Sequence, residues 1–181
     1  MAEEVTISKA GGSTLVAAAA AGDVDALTRI VATHHDDMAR IAFVICGERE
    51  LAQDAVQTAW GQAWRKLGTL RDEARLRPWL MSIAANEARQ LVRSRRRQAV
   101  VSIEVAEIGS DRFDPATRPA TPDLGAALAR LSAEDRQLLA LRHVAGFDAS
   151  EIGRLLGISA SGVRSRLARL LARLRTELAD A

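Results

Sequence analysis

DASEIGRLLGISASGVRSRL, residues 148–167, is the stretch on which the fold turns. Asp148 stands just before an apolar-periodic run, as a helix N-cap does. Ile152, Leu155 and Leu156 supply the inner face of a short helix. Gly157 permits a left-handed turn, Ile158 plugs the core, and Ser159 caps a second helix. This is the layout of a helix-turn-helix. Winding residues 160–178 as a helix gathers Val163, Leu167, Leu170, Leu171, Leu174 and Leu178 into an arc of about 100°, the width of a core stripe. Ser161, Arg164, Ser165, Ala168 and Arg169 fall on the opposite side, flanked by Arg166 and Arg173. Such a helix fits the DNA major groove, with early residues at base edges and the flanking arginines on phosphates. An arginine fork bonds both acceptors of guanine at once. A merely solvated basic face is the bland alternative; the caps, the glycine and an arginine run without acids favour DNA.

Outward from this motif, composition narrows the class. The 181-residue chain is 48% hydrophobic, with no Tyr and three Phe. Dominance of Ala, Leu and Arg favours helices over strands. The net charge of +2 conceals segregation: residues 71–97 hold eight Arg against three acids, and residues 154–175 hold six Arg and no acid. Two basic segments on an otherwise acidic chain predict two separate contacts with a polyanion. Cys46 stands alone, which excludes an intrachain disulfide and a cysteine-based zinc cluster; ending an apolar stripe, it reads as a buried thiol. His34 and His35 are adjacent, diverge on a helix, and cannot chelate one metal together. No nucleophile–base pair, phosphate-cradling glycine loop or metal cluster is legible, so neither catalysis nor a cofactor is expected. No apolar run reaches membrane-spanning length, and residues 15–21 are too short and lack a basic flank. The expectation is a cytoplasmic chain without membrane insertion.

Residues 1–22 are small, polar and aperiodic, and read as a flexible tail. Asp23 caps a helix in which Leu27, Ile30, Val31, His34, Met38, Ile41 and Ile45 recur at i+3 and i+4, ended by Gly47. A second helix spans about 49–67 and stops at Gly68. After a polar loop, Pro78 suits the first turn of a third helix reaching Arg97. Pro115, Pro119, Pro122 and the run DRFD at 111–114 mark residues 99–122 as a linker. Beyond it Asp123, Ser132, Asp148 and Ser159 each precede an apolar-periodic run, predicting four short helices within 123–181. The expected fold class is all-α: two small helical domains, 23–98 and 123–181, joined by a flexible linker, the second a helix-turn-helix.

In the second helix Val56, Ala59, Trp60, Ala63 and Leu67 face one way. Asp54, Gln57, Thr58, Gly61 and Arg65 face the other. Trp64 lies at the border, and the tryptophans read as core. Gly61 costs a mid-helix position about 1 kcal/mol relative to alanine, and leaves room for a partner helix. The third helix turns Leu80, Ile83, Ala84, Ala88 and Leu91 inward. Ser82, Asn86, Arg89, Gln90, Arg93 and Arg97 face outward, with Trp79 at the entrance. An aromatic beside a basic face suits unpaired DNA, where a base stacks and arginines track the backbone. Packing under the preceding loop is the equal alternative for Trp79.

Three stretches together resemble one family. LAQDAVQTAWGQAWR at 51–65 resembles the polymerase-binding helix of extracytoplasmic-function (ECF) sigma factors. RPWLMSIAAN at 77–86, running on to the arginines at 93–97, resembles their minus-ten-reading helix. LSAEDRQLLALRHVAG at 131–146, followed by the helix-turn-helix, resembles their minus-thirty-five domain. The likeness covers about 23–98 and 123–178 in family order. Thr58 and Gln90 stand where the family has acids. The resemblance implies that Asp54, Gln57, Thr58, Gly61 and Arg65 meet the clamp helices of the largest subunit of core RNA polymerase. It implies that Trp79, Asn86, Arg89, Arg93 and Arg97, with the loop 68–75, meet the minus-ten element. Ser161, Arg164, Ser165, Arg166, Ala168, Arg169 and Arg173 would meet the minus-thirty-five element. The implied partners are core polymerase, promoter DNA and an anti-sigma factor. A stand-alone helix-turn-helix regulator and a protein-binding helical module are the rival readings.

Overall fold

The computed structural model describes residues 14–101 and 122–179, the side chains of 99–101 and 122–123 excepted. Among these residues there are eight α-helices and no strand. The all-α expectation holds.

The first half is built on α2, Val24–Cys46. The Asp23 side chain accepts from the Ala26 N–H at 3.0 Å at one end, and Gly47 stops the helix at the other with φ 76°. Losing such an N-cap costs about 1 kcal/mol. α3 (Arg49–Lys66) and α4 (Leu76–Val101) pack on α2, joined by short 3-10 turns at Leu67–Thr69 and Glu73–Arg75. Met38, Ile41, Ile45, Leu80 and Met81 are fully buried between them. Each such side chain stabilises the fold by roughly 1.5–3 kcal/mol relative to exposure. Cys46 is buried, and its thiol points to the Ala88 carbonyl at 3.9 Å.

Two boundaries differ from expectation. Residues 1–13 of the expected tail lie outside the described residues, but Leu15–Ala20 forms a helix, α1, rather than flexible chain. Thr14 caps it by accepting from the Ala17 N–H at 3.2 Å, and Val16 and Ala19 bury themselves. An alanine run is the strongest intrinsic helix former, so two buried side chains suffice to dock it on α2 and the 67–69 turn. The expected linker begins later too: α4 continues through Val101, and residues 102–121 lie outside the described residues.

The second half comprises α5 (Pro122–Ala129), α6 (Ala133–His143), α7 (Ala149–Leu156) and α8 (Ala160–Ala179). The α5 helix starts at Pro122, so Asp123 lies inside the first turn rather than capping it. A proline in the first helical position loses nothing, because the N–H it lacks has no partner there anyway. Ser132 accepts from Asp135 N–H at 3.0 Å, as its expected cap role requires. Leu131, Leu138, Leu141, Ile152 and Val163 form the buried centre. The two halves also touch: α6 packs against both α2 and α4.

Candidate nucleic-acid interface

The turn between α7 and α8 is built by polar bonds and two glycines. The Asp148 carboxylate accepts from the N–H groups of Ser150 and Glu151, and Glu151 returns a bond to the Asp148 N–H at 2.8 Å, a complete capping box. Those bonds, Glu151's foremost, hold the Asp148 carboxyl below its ordinary pKa. Gly157 adopts φ 70°, the left-handed conformation. Gly153 matters for a different reason, which the sequence alone did not reveal: a Cβ there would lie 2.6 Å from the Ile158 carbonyl oxygen. The backbone of the turn rests directly on α7. Ser159 then caps α8, accepting from Gly162 N–H at 3.0 Å.

Two apolar residues of the motif are not where they were expected. Leu155 and Ile158 are 38% and 39% exposed, whereas Ile152 is fully buried. The close approach at Gly153 carries the chain across the outside of α7, so Ile158 rests on the surface instead of entering the core. Leu178 is likewise 38% exposed.

On α8, Val163, Leu167, Leu170 and Leu174 are buried, and Ser161, Arg164, Ser165, Ala168 and Arg169 all face solvent. Among the described residues Arg164 and Arg169 have no acidic partner. The flanking arginines differ. Arg166 is bonded to Asp135 of α6 through Nε at 2.8 Å and Nη2 at 2.7 Å. Arg173 donates to Glu177 at 2.7 Å, and Glu177 also accepts from Arg130 at 3.0 Å. These bonds, Arg173's foremost, keep the Glu177 carboxyl below its usual range. Both flanking guanidinium groups are thus engaged by carboxylates, whereas among the described residues Arg164 and Arg169 are not.

On α3, Asp54, Gln57, Thr58 and Arg65 are exposed and Gly61 is partly so, on the side away from buried Val56, Ala59 and Ala63. An alanine at 61 would meet only the Arg65 guanidinium at 3.6 Å, so no described helix requires the glycine. Trp64 is 44% exposed rather than core, whereas Ala63 and Leu67 on either side of it are buried. Trp60 is partly buried, and its indole N–H donates to His35 Nδ1 at 3.3 Å. Beside it a cavity of about 660 Å³ opens between α2 and α3, bordered by Val31, Phe43, Val56 and Gln57. His34 is partly buried, which pushes its pKa below the ordinary value against the pull of Asp37. No group of three metal-ligating side chains occurs among the described residues.

On α4, Arg93 and Arg97 are exposed, whereas Asn86, Arg89 and Trp79 are partly covered. The outward face expected for Asn86 and Arg89 is shielded, because α6 lies along this side of α4. Gln137 donates to Asn86 Oδ1 at 3.0 Å, and Arg89 Nε is buried without a hydrogen-bond partner. Beside Asn86 on α4, Glu87 is buried and accepts from Gln62 at 2.6 Å and weakly from Gln90. Gln90 thereby donates where an acid would repel Glu87.

Known proteins match in the same order as these surfaces. The family model of Sigma-70 region 2 matches residues 30–98, and that of Sigma-70 region 4 matches residues 123–174. The chain belongs to the sigma-70 family, in its ECF branch. ECF RNA polymerase sigma factor SigM of Mycobacterium tuberculosis is 30% identical over 88% of this chain and 81% of its own length. The probable RNA polymerase sigma factor RfaY of Xanthomonas campestris is 35% identical over 88% of this chain; the chain spans 42% of that longer relative. Among solved structures, the sigma factor RpoE in complex with the anti-sigma factor NepR, from Bartonella quintana, aligns with a TM-score of 0.72 at 26% identity. That match covers 86% of this chain and 98% of the other. CnrH, in complex with the cytosolic domain of CnrY, aligns at 0.64 and 27% identity, covering 92% of this chain and 97% of CnrH. As a sigma factor the chain is a DNA-binding factor of transcription initiation. No described helix is long and apolar enough to cross a membrane.

Proposed function

We propose that this sigma factor docks on core RNA polymerase through α3, reads the minus-ten element through α4 and the minus-thirty-five element through α8. Asp54 and Gln57 supply the polar contacts to the clamp helices of the largest subunit, with Thr58, Gly61 and Arg65 around them. Thr58 adds no charge there, so the contact relies less on ion pairing than it would with an acid. Asn86 and the loop 68–75 take bases extruded from the opening duplex. Extrusion costs a few kcal/mol, which a specific pocket must offset. Arg93 and Arg97 track the backbone, with Trp79 and Arg89 beside Asn86. Arg164, Ser165 and Arg169 face base edges in the major groove, Ser161 and Ala168 line the same side, and Arg166 and Arg173 stand at its borders.

The observation that carries this reading is the presence, in one chain and in family order, of both sigma regions, the second with two arginines, unpaired among the described residues, on the exposed face of its last helix. A stand-alone regulator gives no account of the first region. The polymerase performs the chemistry; the sigma factor contributes positions and no catalytic group or cofactor, and acts in the cytoplasm. An anti-sigma partner is supported by the two solved relatives, each in complex with another protein. Reconstitution with core polymerase tests the whole: a promoter-specific transcript is expected with this chain, and its absence sinks the reading.

A further inference from the structure

We infer that a cleft between α3 and α4 is a binding site for the phosphate end of a small free molecule. The cleft measures about 410 Å³, and Arg93 and Arg97, both exposed, border it. Sites for small organic ligands measure about 300–1,000 Å³. A bare inorganic ion would leave most of that space unfilled, so the ligand carries an organic part. Ala55 of α3 and Leu91 of α4 give that part an apolar wall.

Charge decides what the cleft takes. Two arginines against one glutamate leave its lining with a net charge of +1. The glutamate is Glu87, buried and already accepting from the amides of Gln62 at 2.6 Å and Gln90 at 3.5 Å. Arg97 has no acidic partner among the described residues, and Arg93 reaches only Glu134, at 4.0 Å. Thr58 and Gln90, which also border the cleft, set the sign. Acids at these two positions would put three carboxylates against two cations. Asp54, one turn before Thr58, does not border it.

Arg93 and Arg97 are one turn apart on α4, a spacing at which like charges repel. An oxyanion held between them relieves the repulsion, and guanidinium forks match phosphate oxygens. The Thr58 and Ser94 hydroxyls have no hydrogen-bond partner among the described residues and supply further donors. A phosphate monoester brings about two negative charges at neutral pH and a free end that can enter. A strand phosphate brings one charge and is esterified on both sides. The cleft therefore suits a small phosphomonoester better than a DNA backbone. Arg93 and Arg97 also track the minus-ten strand in the reading above, so ligand and strand compete for them. That consequence rests on the earlier reading; the cleft does not.

The test uses the full chain at constant ionic strength. Adenosine 5′-monophosphate is expected to bind saturably at one site by titration calorimetry, and adenosine not to bind. Absence of saturable binding overturns the proposal. Arg97→Ala is expected to weaken binding about tenfold, the worth of one charge-assisted bond. Arg96→Ala removes an equal charge outside the cleft and is expected to change nothing. Equal losses for the two would mean an adventitious ion only. Ser94→Glu sets a carboxylate beside the arginines and is expected to abolish binding, whereas Ser94→Gln, of the same bulk, weakens it less. Equal loss in both variants overturns the role of charge. Dimethyl phosphate is expected to bind far more weakly than the monoester; equal affinity would make the cleft a strand-phosphate site. Competition against labelled single-stranded DNA separates the earlier reading. If the nucleotide binds but displaces no DNA, Arg93 and Arg97 do not hold the strand, while the cleft stands on the titrations.

Discussion

Arg166 Nη2 lies 2.7 Å from Asp135 Oδ1, which ties the last helix, α8, to the first turn of α6. An arginine expected to hold phosphate is thus a strut within the second half. The pair is partly exposed, with side-chain exposures of 39% and 20%, so its worth is that of a screened ion pair, about 1 kcal/mol or less. Arg166→Ala is expected to lower the thermal midpoint by a few degrees and to change duplex affinity little. A large loss of duplex affinity at unchanged stability would return Arg166 to the DNA.

Arg169 has the opposite prospects. It is exposed and without an acidic partner among the described residues. Arg169→Ala is expected to weaken binding to the minus-thirty-five element by about 1–3 kcal/mol relative to random duplex, the usual worth of a bidentate base contact. Competition titrations measure the ratio. Equal losses on both duplexes would mean that Arg169 touches only phosphate.

Asp54 is exposed and has no side-chain bond among the described residues. Asp54→Ala is expected to leave the melting temperature unchanged and to weaken core-polymerase binding by more than about 1 kcal/mol, as a contributing interface residue does. Affinity equal to that of the parent would remove Asp54 from the interface.

Much of this arrangement is legible in the sequence. The 3.6-residue periodicity gave the stripe of α2, and the capping residues Asp23, Ser132, Asp148 and Ser159 located helix starts, because both signals are local. Non-local packing left no such trace. The covering of Asn86 and Arg89 by α6 depends on which halves meet in space. The exposure of Ile158 depends on the backbone crossing at Gly153, and an apolar residue after a turn reads the same whether it enters the core or skirts it. Partners of Arg166 and Arg173 were hidden for the same reason, since their carboxylates come from Asp135, distant in sequence, and from Glu177, one turn away, beyond the run without acids.

The crossing at Gly153 gives a sharp test of the second half. A methyl group there would sit 2.6 Å from the Ile158 carbonyl oxygen, against backbone that cannot rotate away. The helix preference of alanine over glycine, about 1 kcal/mol, opposes this clash, but overpacking against backbone costs about 1–3 kcal/mol. Gly153→Ala is expected to destabilise the second half by denaturant unfolding and to weaken duplex binding by shifting α8. A more stable variant would show that the turn relaxes freely.

Cys46 reports on the first half. Burial pushes its thiol from the ordinary 9.0 to about 12, with the nearby Arg136 charge acting in the opposite sense. At pH 8 the folded chain therefore holds about a thousandfold less thiolate than the unfolded chain, because three pH units separate the two. Reaction with an aromatic disulfide reagent is expected to be slow in buffer and fast in urea. The sign for stability follows from the raised value. The folded state keeps its proton where the unfolded state releases it, so the contribution of the thiol is complete below pH 9 and is lost as the pH rises toward 12. Cys46→Ala cannot titrate and should lack that part of the alkaline decline. Equal alkaline slopes for the two proteins, by urea unfolding across this range, would show that the thiol is not held in the core as the structure has it.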